Sequence, residues 1–179
     1  MHGVIFVELK KYVDAKVGGD AWRTLVEKSG VPTKMYMAMG SYPDAELISL
    51  VQTASSVTGT PAPELLHDFG SFIVPDLMKM YRAFMKPAWR TLDVLQHTET
   101  SIHTQVRTMT KGAMPPFLTC TRRSPTEVLI QYQSPRKLCH VGVGIIDGIA
   151  DHFGEKVAQR HDKCMHRGDA ECEMRVKLA

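Results

Sequence analysis

Glu127-Val128-Leu129-Ile130-Gln131-Tyr132-Gln133-Ser134-Pro135-Arg136 is the stretch on which the fold turns. Its first half is an extended apolar run, the pattern of a strand. Pro135 then suits the first turn of a helix that continues through Val141, Ile145, Ile146 and Ile149 to Phe153. Tyr132, Ser134 and Arg136 fall at alternate positions, so a phenol, a hydroxyl and a guanidinium face one way. Three donors on one face, one of them a fixed cationic fork, make a cradle for an anion such as a carboxylate or phosphate.

Upstream of this stretch the chain reads as helices. Val4, Ile5, Leu9, Tyr12, Val13 and Val17 recur at helical spacing until Gly18-Gly19, and Asp20 can cap a second helix running to Gly30. Pro43-Asp44 opens a helix that ends near Gly59, and another follows Pro61-Ala62-Pro63, with a kink expected at Pro75. One further amphipathic helix is predicted over 91–109, stopped by Lys111-Gly112 and Pro115-Pro116. Thereafter strands dominate: Phe117–Arg122, the run at Glu127–Gln133, then 155–163 and 172–178. Helices first and an antiparallel sheet later give an α+β domain.

The bulk numbers exclude several classes. At 179 residues and 20.0 kDa the chain fits one domain over 1–179. A net charge of +3 without a basic stripe argues against nucleic acid. No apolar run reaches about 18 residues, so no membrane span is expected, and without a signal-peptide pattern the expected location is cytoplasmic. Four cysteines in such a chain point to metal or redox chemistry before structural disulfides. The eleven methionines, Met35, Met37, Met39, Met78, Met80 and Met85 among them, are expected to be deformable packing.

His103 lies within the helix predicted over 91–109, and Met114-Pro115-Pro116, a strand and the Tyr-x-Ser-x-Arg cradle follow it. A helical histidine by itself reads as a surface or satisfied core residue. The whole order, however, resembles the heme-nitric oxide/oxygen binding (H-NOX) family, related to the heme domain of soluble guanylate cyclase. The resemblance spans the chain from Met1-His2-Gly3 to the last strand. It implies a helical distal lobe over about 1–65, a proximal lobe over about 66–179 with a four-stranded antiparallel sheet, and heme b between the lobes. His103 then matches the axial iron ligand, with His97 a less fitting competitor. Tyr132, Ser134 and Arg136 match the residues that hold the propionates, and Pro116 one that packs on the heme. Family members that hold O2 use a distal tyrosine, where this chain has Val141. Ile5, Leu9, Ile73, Leu77 and Ile145 are its expected neighbours, none carrying a donor. Such a pocket favours NO, and CO, over O2.

The resemblance also implies a sensor and not an enzyme. It would be a monomer signalling in trans to a histidine kinase, or to a diguanylate cyclase or phosphodiesterase. Cys139, His161, Cys164 and Cys172 form a Cys3His set suited to tetrahedral Zn2+, although three buried thiols and an unrelated histidine would give the same spacing. A subset of the family carries these ligands and binds zinc as a thiol switch, so the alternative function is a zinc/thiol redox sensor. His166 competes as a ligand, while Cys120 reads as a packed or free thiol.

Overall fold

The computed structural model describes residues 1–179. The first apolar repeat winds into α1 (Gly3–Val17), which buries Phe6, Leu9, Tyr12 and Val13 along one face. Helices α2 (Ala21–Ser29) and α3 (Asp44–Thr58) pack beside it, and Leu25, Val26, Leu47 and Leu50 complete an apolar core. Phe69, on α4 (Ala62–Phe72), and Ile73 belong to this same core. The chain breaks at Ile73, and Pro75 occupies the first turn of the next helix, α5 (Val74–Met80), where its missing N–H costs nothing.

A second core begins at Val74 and is built on the sheet. Strands β1 (Phe117–Ser124), β2 (Glu127–Gln133), β3 (Val157–Lys163) and β4 (Cys172–Leu178) pair antiparallel in the order β1-β2-β4-β3. Val128, Ile130 and Tyr132 alternate onto one face beside Cys172, Met174 and Val176 of β4. That face packs on α8 (Cys139–His152) through Ile146 and Ile149, and on α6 (Thr91–His97) through Leu92 and Leu95.

The two cores are joined where α4 crosses α8 at unusually close range. A Cβ at Gly144 would stand 1.9 Å from the His67 carbonyl oxygen, and one at Gly70 would stand 2.3 Å from that of Val141. Only glycine on both helices permits this approach.

Three expectations are corrected. The helix after the cradle starts at Cys139, not Pro135. Lys137 adopts φ +52°, and its N–H bonds to the Ser134 carbonyl, closing a turn over 134–137 that no helix can run through. The helix predicted over 91–109 is three segments: α6, a π turn over Thr98–His103, and α7 (Thr104–Met109). Finally, Met35, Met37, Met39 and Met80 are exposed because no core lies against the loop after α2 or the end of α5, whereas Met78, Met85, Met165 and Met174 pack as expected.

Candidate functional site

Between the two cores lies a largely apolar cavity with His103 in its wall. The His103 side chain is 15% exposed, and its Nδ1 stands 3.0 Å from Glu99 Oε2. Burial opposes ionisation of Glu99, but hydrogen bonds from Arg107 and His103 outweigh it and hold the carboxyl below its ordinary range. The carboxylate therefore accepts, Nδ1 carries the proton, and the Nε2 lone pair is free. Burial lowers the His103 pKa against the pull of Glu99, keeping the ring neutral and able to ligate. His97 does not line the cavity and stacks instead on Trp89, ring centroids 4.7 Å apart.

His103 ends the π turn over Thr98–His103. The Thr104 N–H bonds to the Glu99 carbonyl, the i→i+5 pattern, and Glu99 and His103, four residues apart, lie on one face of the segment. That spacing already puts the two side chains on one helix face, so the signal for Glu99 was present in the sequence and was passed over.

Of the expected distal residues, Ile5, Leu77, Val141 and Ile145 line the cavity, as do Met1, Val4 and Phe69. Leu9 and Ile73 do not; they pack in the helical core behind it. Three donors on the wall were not anticipated. His2 is engaged with Thr110 and the Val4 N–H, and the Thr98 hydroxyl donates to the Val94 carbonyl. The Tyr81 hydroxyl lines the same cavity without a protein partner.

Pro116, Tyr132 and Arg136 are brought to the cavity, with Ser134 beside them. Tyr132 and Ser134 are both buried, and the Ser134 hydroxyl accepts from the Arg136 N–H at 3.3 Å. The Arg136 side chain is 8% exposed and its guanidinium reaches Asp44 Oδ2 at 3.3 Å and the Met114 carbonyl. A buried guanidinium at the edge of an apolar cavity, a free imidazole nitrogen and otherwise apolar walls are what a flat apolar macrocycle with acidic substituents needs.

The second cluster also forms. One ligand atom from each of Cys139, His161, Cys164 and Cys172 lies within 4.8 Å of the others, and the three thiols are buried. Cys139 Sγ is 3.9 Å from Cys164 Sγ. His161 Nε2 is buried and has no hydrogen-bond partner. Burial, reinforced by the neighbouring thiols, pushes the Cys139 thiol up, and burial raises Cys172 as well. A cation would satisfy the stranded imidazole nitrogen and hold the thiols as thiolates. A second set, Cys139 with His140 and His166, is also geometrically able to ligate. Cys120 lines the cavity instead, its pKa pushed up to about 12 by burial.

Comparison with known proteins gives a consistent result. The family described as Haem-NO-binding matches residues 2–161. Soluble guanylate cyclase gcy-31 of Caenorhabditis elegans is 23% identical over 138 residues, which are 76% of this chain but 20% of that protein. The chain thus spans about a fifth of that relative's length. Among solved structures, an H-NOX protein from S. oneidensis in the Fe(II)NO state superposes with a TM-score of 0.93. It is 27% identical, the match covering 100% of this chain and 99% of that one. The Fe(II) unliganded H-NOX protein from K. algicida shares the fold at 21% identity and a TM-score of 0.83, covering 100% and 97% of the two chains.

Proposed function

This chain belongs to the haem-NO-binding (H-NOX) family, whose members are heme gas-sensor domains and not enzymes, and on that premise we propose that it senses NO, with CO as a second ligand and O2 bound poorly. The observation that carries this reading is His103 in the wall of a largely apolar cavity, with Nδ1 engaged by Glu99 and Nε2 left without a hydrogen-bond partner. Heme b, when bound, would supply a ferrous iron able to take a diatomic gas. His103 would hold the iron, Tyr132, Ser134 and Arg136 would take the propionates, and Pro116 would pack on the ring.

Ile5, Leu77, Val141 and Ile145 offer no hydrogen bond to a ligand on the far side. Bound O2 gains from a donor because it carries partial negative charge, whereas NO binds ferrous heme tightly without one. Any change in how His103 is held would act on the π turn and shift the two cores about the crossing of α4 and α8. That shift would be read in trans by a histidine kinase, or by a diguanylate cyclase or phosphodiesterase. The domain holds 179 residues and the cyclase relative far more; that relative's catalysis is not carried over.

Cys139, His161, Cys164 and Cys172 would hold Zn2+, a reading supported by the stranded His161 nitrogen. The same cluster favours a second reading, in which thiol oxidation releases the metal and is itself the signal.

An anaerobic titration of the ferrous protein with NO and CO, followed by absorption, tests the first reading. A five-coordinate nitrosyl spectrum is expected, and a protein that takes up no heme refutes it. His103→Gly supplied with free imidazole should still bind NO but no longer change partner activity; normal regulation in that variant would remove the tether.

A further inference from the structure

We propose that Glu99 sets how strongly His103 grips the heme iron, acting as its anionic hydrogen-bond acceptor, and that Arg107 moderates Glu99 in turn. This rests on the heme reading above.

Glu99 is shared by three donors. His103 Nδ1 reaches Oε2 at 3.0 Å, the Leu118 N–H reaches the same oxygen at 3.2 Å, and Arg107 Nη1 reaches Oε1 at 2.7 Å. The Glu99 side chain is 22% exposed and that of His103 15%, so solvent screens their contact only in part. A carboxylate drawing on Nδ1–H leaves more electron density on Nε2, the atom left for iron, which strengthens that bond. Arg107 competes for the same charge, so the guanidinium limits how far the ring can lean towards imidazolate. Glu99 is a positioning and tuning residue; it touches no iron itself.

The arrangement also joins the ligand to the floor of the cavity. Arg107 Nη2 donates to the Pro116 carbonyl at 3.3 Å, and the guanidinium lies 4.8 Å over the Phe117 ring. Leu118, bonded to Glu99, follows Phe117 at the start of β1. Movement of His103 thus pulls on the segment that carries Pro116. The pairing is an i,i+4 contact along one face of the helical segment that carries His103.

A merely structural Glu99, tying the helix to β1, predicts something different. Gln at 99 can still accept from Leu118 and fill the same space, so Glu99→Gln would leave the ligand bond alone. The deciding measurement is the iron–histidine stretching band of the ferrous, heme-loaded protein by resonance Raman, in wild type, Glu99→Gln and Arg107→Gln. We expect the band to fall in Glu99→Gln and to rise in Arg107→Gln. We also expect His103 to leave the iron about 10–100-fold faster on NO addition in Glu99→Gln.

Equal bands in wild type and Glu99→Gln, or shifts of the same sign in both variants, overturn the proposal. If Glu99→Gln does not fold, Arg107→Gln decides alone: a raised band supports, an unmoved band refutes. A wild-type protein with heme but no iron–histidine band removes this proposal together with the assignment of His103. Such a band left unmoved by the variants removes this proposal only.

Discussion

Val141 presents only methyl groups to the cavity, from the helix whose N-terminus also carries Cys139. A hydroxyl reaching the gas from that position would add a hydrogen bond to a partly charged acceptor, about 1.5–3 kcal/mol and therefore roughly tenfold or more in affinity. Val141→Tyr should accordingly give a ferrous protein that stays oxygenated in air, where the wild type does not, read from its absorption spectrum. Tyr81 is the control, since its hydroxyl is on the wall and unpartnered. Tyr81→Phe should leave O2 binding unchanged; a loss of O2 affinity there would mean that the pocket already holds a donor. At this scale much of the site was legible. Tyr132 and Arg136 stand out by the chemistry of their cradle and His103 through the family resemblance, and the three line one cavity. Glu99 was legible as an i,i+4 neighbour of His103 on one helix face, but many exposed carboxylates share that spacing with a histidine, and only partial burial beside the cavity sets this one apart.

The crossing of α4 and α8 is the element on which the two cores meet, and it is made of glycine. Gly144→Ala would drive a methyl group into the His67 carbonyl, 1.9 Å from where its Cβ must stand, with backbone on both sides. Overpacking of this kind costs about 1–3 kcal/mol. In a chain of this size that lowers Tm by roughly 2–4 °C for each kcal/mol. Gly142, on the same helix, meets nothing within 4 Å. Gly142→Ala should therefore preserve or raise the stability of the heme-free chain, as a helix gains about 1 kcal/mol on losing a glycine. Thermal unfolding of the two variants checks the contrast, and equal Tm values would mean that the close crossing has no energetic weight. From sequence, three glycines in one helix register only as a propensity cost, since their partner is a backbone distant in the chain. The turn at 134–137 escaped for a related reason. Pro135 is equally at home in a helix's first turn and in a β-turn, and Lys137 at positive φ decides between them.

Over the whole molecule, the class of fold followed from periodicity, whereas the sheet order β1-β2-β4-β3 did not, because register and strand order depend on which faces a helix covers. That order matters for the thiol cluster. It sets Cys172 at the start of an inner strand opposite Tyr132, directly below the first turn of α8 where Cys139 lies. Zn2+ held by Cys139, His161, Cys164 and Cys172 would therefore pin the origin of α8 to the β3–β4 hairpin. The same helix forms the distal wall and crosses α4, so its anchorage is felt in both cores. A cation bound to the folded chain about a thousandfold above its Kd adds about 4 kcal/mol. Stripping it from reduced protein with a chelator should thus lower Tm by several degrees, with zinc restoring it. Cys164→Ser should copy the stripped state and no longer respond to chelator. Reduced protein that contains no zinc, or whose Tm ignores both chelator and added metal, would leave the four side chains as an ordinary buried cluster and α8 held by packing alone.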